Sequence, residues 1–285
     1  MTASYPPTAT APEGAVTPHP AIVAIPAFAD NYIWLIRDPH CRQAAVVDPG
    51  DAAPVIAALR AEGLTLAAIL VTHHHPDHVG GLPALRAAFP DALVHGPAAT
   101  RVEGIDHRWR AGDRVALDGF DTVFDVIEVP GHTLDHIAYF ARTVGHADPR
   151  PVLFCGDTLF AGGCGRMFEG TPVQFTDSLG RLAALPDATL VYCAHEYTTS
   201  NLRFAGAVEP DNAALAARIA LTASLRAQAR ATVPSTLAVE RDTNPFLRSA
   251  APAVVAAAAA RLGRAPTGPV EVFAAVRQWK DGFRG

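Results

Sequence analysis

Four histidines, His73, His74, His75 and His78, fall within six positions and follow directly on an unbroken apolar run over residues 67–71. An uninterrupted apolar run of that length is the pattern of a strand buried on both faces. The Gly80-Gly81 pair beyond the cluster precedes a stretch of helical spacing over residues 82–89. Thr72-His73-His74-His75-Pro76-Asp77-His78 is therefore read as a loop at the carboxyl end of a buried strand, a position that ligand pockets favour in layered sheets. Any fold of this chain must bring that loop to a sheet edge.

Three further apolar runs end in the same way. Residues 123–129 lead into Pro130-Gly131-His132-Thr133, 152–155 into Gly156-Asp157-Thr158, and 190–193 into Ala194-His195-Glu196. Four histidines alone are compatible with a solvated turn or an adventitious metal patch. Separate strands that deliver His, Asp and His to one sheet edge, beside the cluster, weigh strongly for a built site. The remaining pattern agrees with such a sheet. Runs at 22–25, 33–36, 44–47, 93–95 and 137–140 read as strands. Residues 53–61 read as a helix, with Val55, Ile56 and Leu59 on one face, Pro54 near its first turn and Gly63 beyond its end. Strands alternating with helices predict a layered α/β core. After about Thr198 the character changes, and 201–208, 212–231, 253–262 and 270–279 all read as helices. The domain organisation expected is a disordered extension over 1–20, a catalytic domain over 21–198 and a helical substrate-binding domain over 199–285.

Composition narrows the function classes. The chain is 285 residues long, 49% hydrophobic and 18% charged, which suits a core-forming protein. Its 23 Lys and Arg against 28 Asp and Glu leave a net charge of −5 with no long basic block, so nucleic acid is not expected as a partner. No window approaches the roughly 18 apolar residues of a membrane span. Residues 1–20 are rich in Ala, Pro and Thr and contain no Lys or Arg, unlike a signal or transit peptide. Cys41, Cys155, Cys164 and Cys193 have unrelated spacings and suggest a reducing, cytoplasmic setting. A monomer is the default expectation.

Imidazole and carboxylate donors together suit Zn²⁺, Fe or Mn²⁺, and the absence of thiolate spacing argues against a closed Cys₄ site. In the loop, His73 and His75 can point one way while Asp77 and His78 reach a neighbouring point, so two close metals could be served. These residues carry a resemblance. Thr72 to His78, Gly131-His132, Gly156-Asp157 and His195 resemble the metallo-β-lactamase superfamily. Longer matches resemble its hydroxyacylglutathione hydrolase (glyoxalase II) family: Gly156-Asp157-Thr158-Leu159-Phe160, Gly163-Cys164-Gly165-Arg166, Ala194-His195-Glu196-Tyr197-Thr198, Asn244-Pro245-Phe246-Leu247-Arg248 and Lys280-Asp281-Gly282-Phe283.

The resemblance implies an α+β fold, a metallo-β-lactamase-like αββα sandwich with a C-terminal α-helical domain. It implies one metal on His73, His75 and His132 and a second on Asp77, His78 and His195, with Asp157 bridging both. Two divalent ions per chain, Zn²⁺ with Fe or Mn²⁺ as alternatives, are the expected cofactors. His74 and His136 are not expected as ligands, and His136 is expected to support the site by hydrogen bonding. Asp77 and Asp157 would act in catalysis through a hydroxide held between metals about 3.5 Å apart, because such charges lower the pKa of water from near 16 to roughly 7. The implied reaction is hydrolysis of S-D-lactoylglutathione and similar 2-hydroxyacyl glutathiones to glutathione and D-lactate, the second step of methylglyoxal detoxification. A thiolate with a pKa near 8.5 leaves with little acid assistance.

Glutathione is anionic, so local positive charge is needed despite the net charge. Arg166, Arg277 and Lys280 are the candidates carried over from the family, with Tyr197 adding a hydroxyl. Two positions depart from the family pattern. Phe168 lacks the hydroxyl that some members carry there, and Asp135 occupies a position that is often glycine. Asp135 has two readings, a carboxylate that tunes the site near His132 or a solvent-facing turn residue. The same ligand set would also serve a lactonase or a one-iron persulfide dioxygenase, while the Asn244-Pro245-Phe246 and Lys280 segments favour the glutathione thioesterase.

Overall fold

Alternation along the first strands sends side chains to two separate cores. The computed structural model describes residues 14–37, 42–145 and 148–284. In it β1 (Ile22–Ala27), β2 (Asn31–Arg37) and β3 (Gln43–Val47) pair antiparallel, and β4 (Thr65–Leu70), β5 (Leu93–Pro97) and β6 (His107–Trp109) extend that sheet in parallel. Trp34, Ile36, Ala45 and Val47 face the second sheet. Ile33, Leu35, Ala44 and Val46, one residue out of phase, pack with α1 (Ala52–Glu62) and, beyond the short α2 (Pro76–Val79), with α3 (Leu82–Ala88). Successive side chains of a strand point to opposite faces, so these strands are apolar throughout and buried on both sides.

The second sheet contains β7 (Arg114–Ala116), β8 (Val123–Glu128), β9 (Ile137–Ala141) and β10 (Val152–Gly156), followed after the hairpin β11 (Leu159–Phe160) and β12 (Gly163–Cys164) by β13 (Leu190–Cys193) and β14 (Ser235–Thr236). Its order is β14-β13-β10-β9-β8-β7. β10 and β13 are parallel, and between them the chain passes through α4 (Pro172–Ala183). The helices α5 (Thr198–Val208), α6 (Ala213–Ala227), α7 (Leu237–Thr243), α8 (Pro252–Leu262) and α9 (Pro269–Gly282) follow. The core between the sheets runs on into these helices, since Phe124, Phe154, Phe175, Phe204 and Phe273 belong to one cluster. Truncating such a Phe to Ala costs about 3–5 kcal/mol.

Several expected boundaries shift for visible reasons. α6 stops at Ala227 and not at 231, because Ala229 turns into the left-handed region (φ 54) and Thr232-Val233 lead into Pro234. The helices expected from the sequence do not include α4, although Phe175, Leu179 and Leu182 stand at helical spacing and are buried, and Thr171 and Gln174 form a reciprocal capping box with Pro172 at the first turn. Cys41 and residues 1–13 of the expected extension lie outside the described residues. Residues 14–20 differ from the disordered reading: His19 is buried and its N–H donates to the Tyr192 hydroxyl at 2.8 Å. Among the described residues no helix is long and apolar enough to cross a membrane.

Candidate metal centre and active site

Asp48 follows β3, Thr72 to His78 follow β4, His132 follows β8, Asp157 follows β10 and His195 follows β13, so one edge of the sandwich collects them. The β1–β2 turn reaches the same edge. There Tyr32 N–H donates to Ala194 O at 2.7 Å, Glu196 N–H donates to Asp30 O at 2.8 Å, and Asn31 bridges His195. Close approach is secured by glycines. A Cβ on Gly50 would stand 1.9 Å from Asp77 O, and one on Gly165 would stand 2.0 Å from Asp157 O.

The imidazoles point lone pairs inward, and their outer nitrogens show why. His132 Nδ1 lies 2.7 Å from Arg166 O, which can only accept, so Nδ1 carries the hydrogen. His195 Nδ1 lies 2.9 Å from Asp30 Oδ1. Thr72 gives its hydroxyl hydrogen to Asp48 Oδ2 at 2.7 Å and therefore accepts from His73 Nδ1 at 3.1 Å. His78 Nδ1 stands 3.0 Å from Asp48 Oδ2, off the line of a hydrogen bond. These hydrogen bonds leave the inner Nε2 of His73, His132 and His195 unprotonated in the neutral ring, and the Asp48 charge beside Nδ1 favours the same tautomer in His78.

The inner atoms form two groups. His73 Nε2 is 3.1 Å and His132 Nε2 is 3.0 Å from His75 Nδ1. On the other side, His78 Nε2 and His195 Nε2 each lie 3.4 Å from Asp157 Oδ1, with Asp77 Oδ2 at 3.5 and 3.4 Å from the same two nitrogens. Asp157 Oδ2 faces the first group, 3.3 Å from His132 Nε2. Donors bound at about 2.1 Å in a tetrahedral site are separated by roughly 3.4 Å, so this spacing fits divalent cations. His78 Nε2 and Asp157 Oδ1 are buried without hydrogen-bond partners, as ligand atoms would be.

Electrostatics agree. Burial would raise the Asp157 carboxyl, but His78, His195 and His132 hold it well below the carboxylate range. Burial lowers His195, yet Asp157, Asp77 and Asp30 outweigh it and push the ring up to about 10. A carboxylate cage that holds protons so firmly is equally a cage for cations. His136 takes the supporting role: Asp157 N–H donates to its Nε2 at 3.1 Å, its Nδ1 donates to Ile137 O, and burial followed by His132 holds it down to about 3.

A cleft of about 560 Å³ opens from these atoms and is also lined by Phe160, Cys164, Arg166, Phe168, Tyr197 and Lys280. Tyr197 stacks on His195 at 4.7 Å and 4°. Lys280 donates to Ser200 O at 3.0 Å, and burial followed by the Arg277 charge pushes its ammonium down to about 8. Arg166 lines the cleft with an exposed side chain. Arg277 also lines the cleft, but it is only 4% exposed, and its guanidinium donates to Cys164 O at 2.9 Å and Asp281 Oδ1 at 3.0 Å. Asp135 is buried, so the solvent-facing reading of that residue does not hold.

Sequence reasoning missed the outer residues Asp30, Asn31 and Asp48, and gave Thr72, named at the head of the histidine loop, no task. Asn31 Nδ2 donates to Asp77 Oδ2 at 3.0 Å, and Thr72 N–H donates to Asp48 Oδ1 at 2.8 Å. Asp48 carries a usable signal, because it too is a carboxylate at the end of an apolar strand.

Comparison with known proteins places the chain. Residues 28–195 match the metallo-beta-lactamase superfamily, and residues 196–283 match the hydroxyacylglutathione hydrolase C-terminus. A hydroxyacylglutathione hydrolase of Pseudomonas fluorescens is 54% identical over 92% of this chain and 99% of its own length. One of Cupriavidus taiwanensis is 56% identical over 91% of this chain and 98% of its own length. The chain belongs to the hydroxyacylglutathione hydrolase family. Among solved structures, ETHE1 from Myxococcus xanthus shares the fold with a TM-score of 0.58 and 29% identity, covering 79% of this chain and 83% of its own. BLEG-1 B3 metallo-beta-lactamase, at 24% identity and a TM-score of 0.58, covers 79% of this chain and 99% of its own and speaks to the fold alone. In this member of the hydroxyacylglutathione hydrolase family, the superfamily match ends at His195 and the C-terminal match begins at Glu196, beside the cleft.

Proposed function

We propose that the chain hydrolyses S-D-lactoylglutathione and related 2-hydroxyacyl glutathione thioesters to glutathione and the free hydroxy acid, D-lactate in the first case. The observation that carries the reading is the convergence of two donor groups shared by Asp157 at the floor of a cleft with basic residues on its wall. His73, His75 and His132 would hold one divalent ion and Asp77, His78 and His195 another, with Asp157 between them. Zn²⁺ fits this donor set, and Fe or Mn²⁺ are alternatives. When bound, such ions supply Lewis acidity for water activation and carbonyl polarisation.

The chain's own groups do the rest. Lys280 and Arg166 attract the carboxylates of the glutathione moiety. Arg277, buried with Nη1 on the carbonyl of Cys164 and Nη2 on Asp281, shapes the loop that carries Arg166. Burial raises the Tyr197 phenol above its usual range, as do the charges of Asp30, Asp157 and Asp77, so it keeps its proton and donates. Phe168 sits edge-on to His75 and His132, with ring centroids 5.7 and 5.2 Å away, and walls the cleft beside the first donor group. The departing thiolate needs little acid help. Free thiols at Cys155, Cys164 and Cys193 suit a reducing cytoplasm.

The test is the loss of thioester absorbance from S-D-lactoylglutathione, with and without chelator, alongside metal analysis of the same sample. Rapid chelator-sensitive turnover with nearly two metals per chain is expected. No turnover by fully metallated protein would refute the substrate assignment, and lactones and persulfides would be assayed next.

A further inference from the structure

Three loops meet beside the converging donor atoms through side chains that stand outside both donor groups. His74 turns away from the inner nitrogens, and its Nδ1 donates to Asp135 Oδ1 at 2.9 Å. Its Nε2 lies 3.6 Å from Glu169 Oε1. Asp135, 8% exposed, also accepts from the Thr133 hydroxyl at 2.7 Å, and Glu169 Oε2 accepts from Leu134 N–H at 2.7 Å. The backbone adds two ties, Phe168 N–H to His132 O at 3.2 Å and Gly170 N–H to Gly131 O at 3.1 Å.

The segment that carries Phe168 is thus hung from the 131–135 loop, which Asp135 ties in turn to His74. Phe168 needs such support. Its ring is 62% exposed, so little apolar burial holds it, yet it lies edge-on to both His75 and His132. An exposed aromatic without anchoring neighbours would sample other rotamers.

We propose that Asp135 is a positioning residue: through Thr133 and His74 it fixes the 131–135 loop, and through that loop's ties to Phe168, Glu169 and Gly170 it holds Phe168 as a fixed wall of the cleft, and so sets the affinity for the thioester without taking part in the reaction. The proposal rests on the thioesterase reading above. It assigns Asp135 a task that a glycine at that position could not perform, since glycine offers no acceptor to His74 or Thr133.

The experiment is a double-mutant cycle on the metallated enzyme. Asp135→Ala is expected to raise KM about three- to tenfold, the scale of one aromatic contact, with kcat and metal content unchanged. Asp135→Asn keeps the acceptor oxygen and should restore KM. In a Phe168→Ala background the effect of Asp135→Ala should shrink below about twofold, because both changes act on one wall. An unchanged KM, full additivity with Phe168→Ala, or a loss of metal would overturn the proposal. Should Asp135→Ala fail to fold, Glu169→Ala enters the same cycle. A wild type inactive on every glutathione thioester would instead refute the thioesterase reading. The clamp would then be read by NMR, as loss of the Phe168 ring contacts to His75 and His132 in the Asp135 variant, and persistence of those contacts would refute it.

Discussion

Replacing Asp48 by Asn should weaken metal binding without touching a metal-facing donor. Asp48 is buried, sits at φ 53, and its two oxygens accept Thr72 N–H and the Thr72 hydroxyl while Oδ2 faces His78 Nδ1 at 3.0 Å. Asn is the one near-isostere that tolerates this left-handed backbone, so the substitution isolates the charge from strain. With Oδ1 still on Thr72 N–H, the new amide NH₂ takes away the acceptor of the Thr72 hydroxyl and the negative charge that stands 3.0 Å from His78 Nδ1. His78 is then driven to carry its proton on Nε2, where the lone pair must face inward. The Thr72 hydroxyl that fixes His73 is disturbed at the same time. Outer partners of metal-binding histidines are typically worth 10- to 100-fold in affinity, which is about 1.4–2.7 kcal/mol. Competition with a chromophoric chelator would read the shift directly, and excess metal should recover most of the turnover. An Asp48→Asn variant that holds metal as tightly as wild type would refute the tautomer argument.

Asp157→Ala removes the carboxylate that faces both donor groups, so metal content should fall and turnover should disappear; a normal rate on S-D-lactoylglutathione would sink the shared-bridge arrangement. Lys280 is pushed down to about 8, so it is charged below that pH and neutral above it. Attraction for an anionic substrate should fade as pH rises, with KM climbing several-fold between about pH 7 and 9, and a Lys280→Ala variant should start high and lose that slope. Arg277→Ala strands the Cys164 carbonyl in the interior, at a cost of about 1–3 kcal/mol, so thermal denaturation should show a lower Tm together with a raised KM. A raised KM at unaltered Tm would mean that Arg277 serves the substrate alone.

The sites of His73 to His78, His132, Asp157 and His195 were legible because each follows an apolar run, and the run fixes both the strand and the end at which it stops. What surrounds them was not legible. Asp30 ends the β1–β2 turn and Asn31 opens β2, beyond the run read as a strand over 22–25 and not directly after it, and their partners, His195 and Asp77, are 165 and 46 residues away. Spacing along a chain carries no information about such pairings. The helical tail is visible in the composition, but α7 has only seven residues and too few turns for a period to emerge. Its purpose is a buried polar network: Glu240 accepts from Gly162 N–H at 2.8 Å, and Asn244 donates to Gly163 O at 2.9 Å, so the hairpin bearing Cys164 is pinned by the tail. Asp135 could not be assigned from sequence because the choice between tuning the site and facing solvent depends on burial.

The two residues of β14, Ser235 and Thr236, come from the tail, yet they close the edge of the second sheet by pairing with Val191 and Leu190 of β13. A strand as apolar and as fully buried as β13 would, if uncovered, be an open template for another chain's backbone. The tail therefore covers a sheet edge as well as walling the cleft. A fragment that stops soon after His195 would keep both groups of donor atoms and still carry an adhesive rim, so the cover of that edge and the basic wall of Arg277 and Lys280 are written into the same stretch of chain.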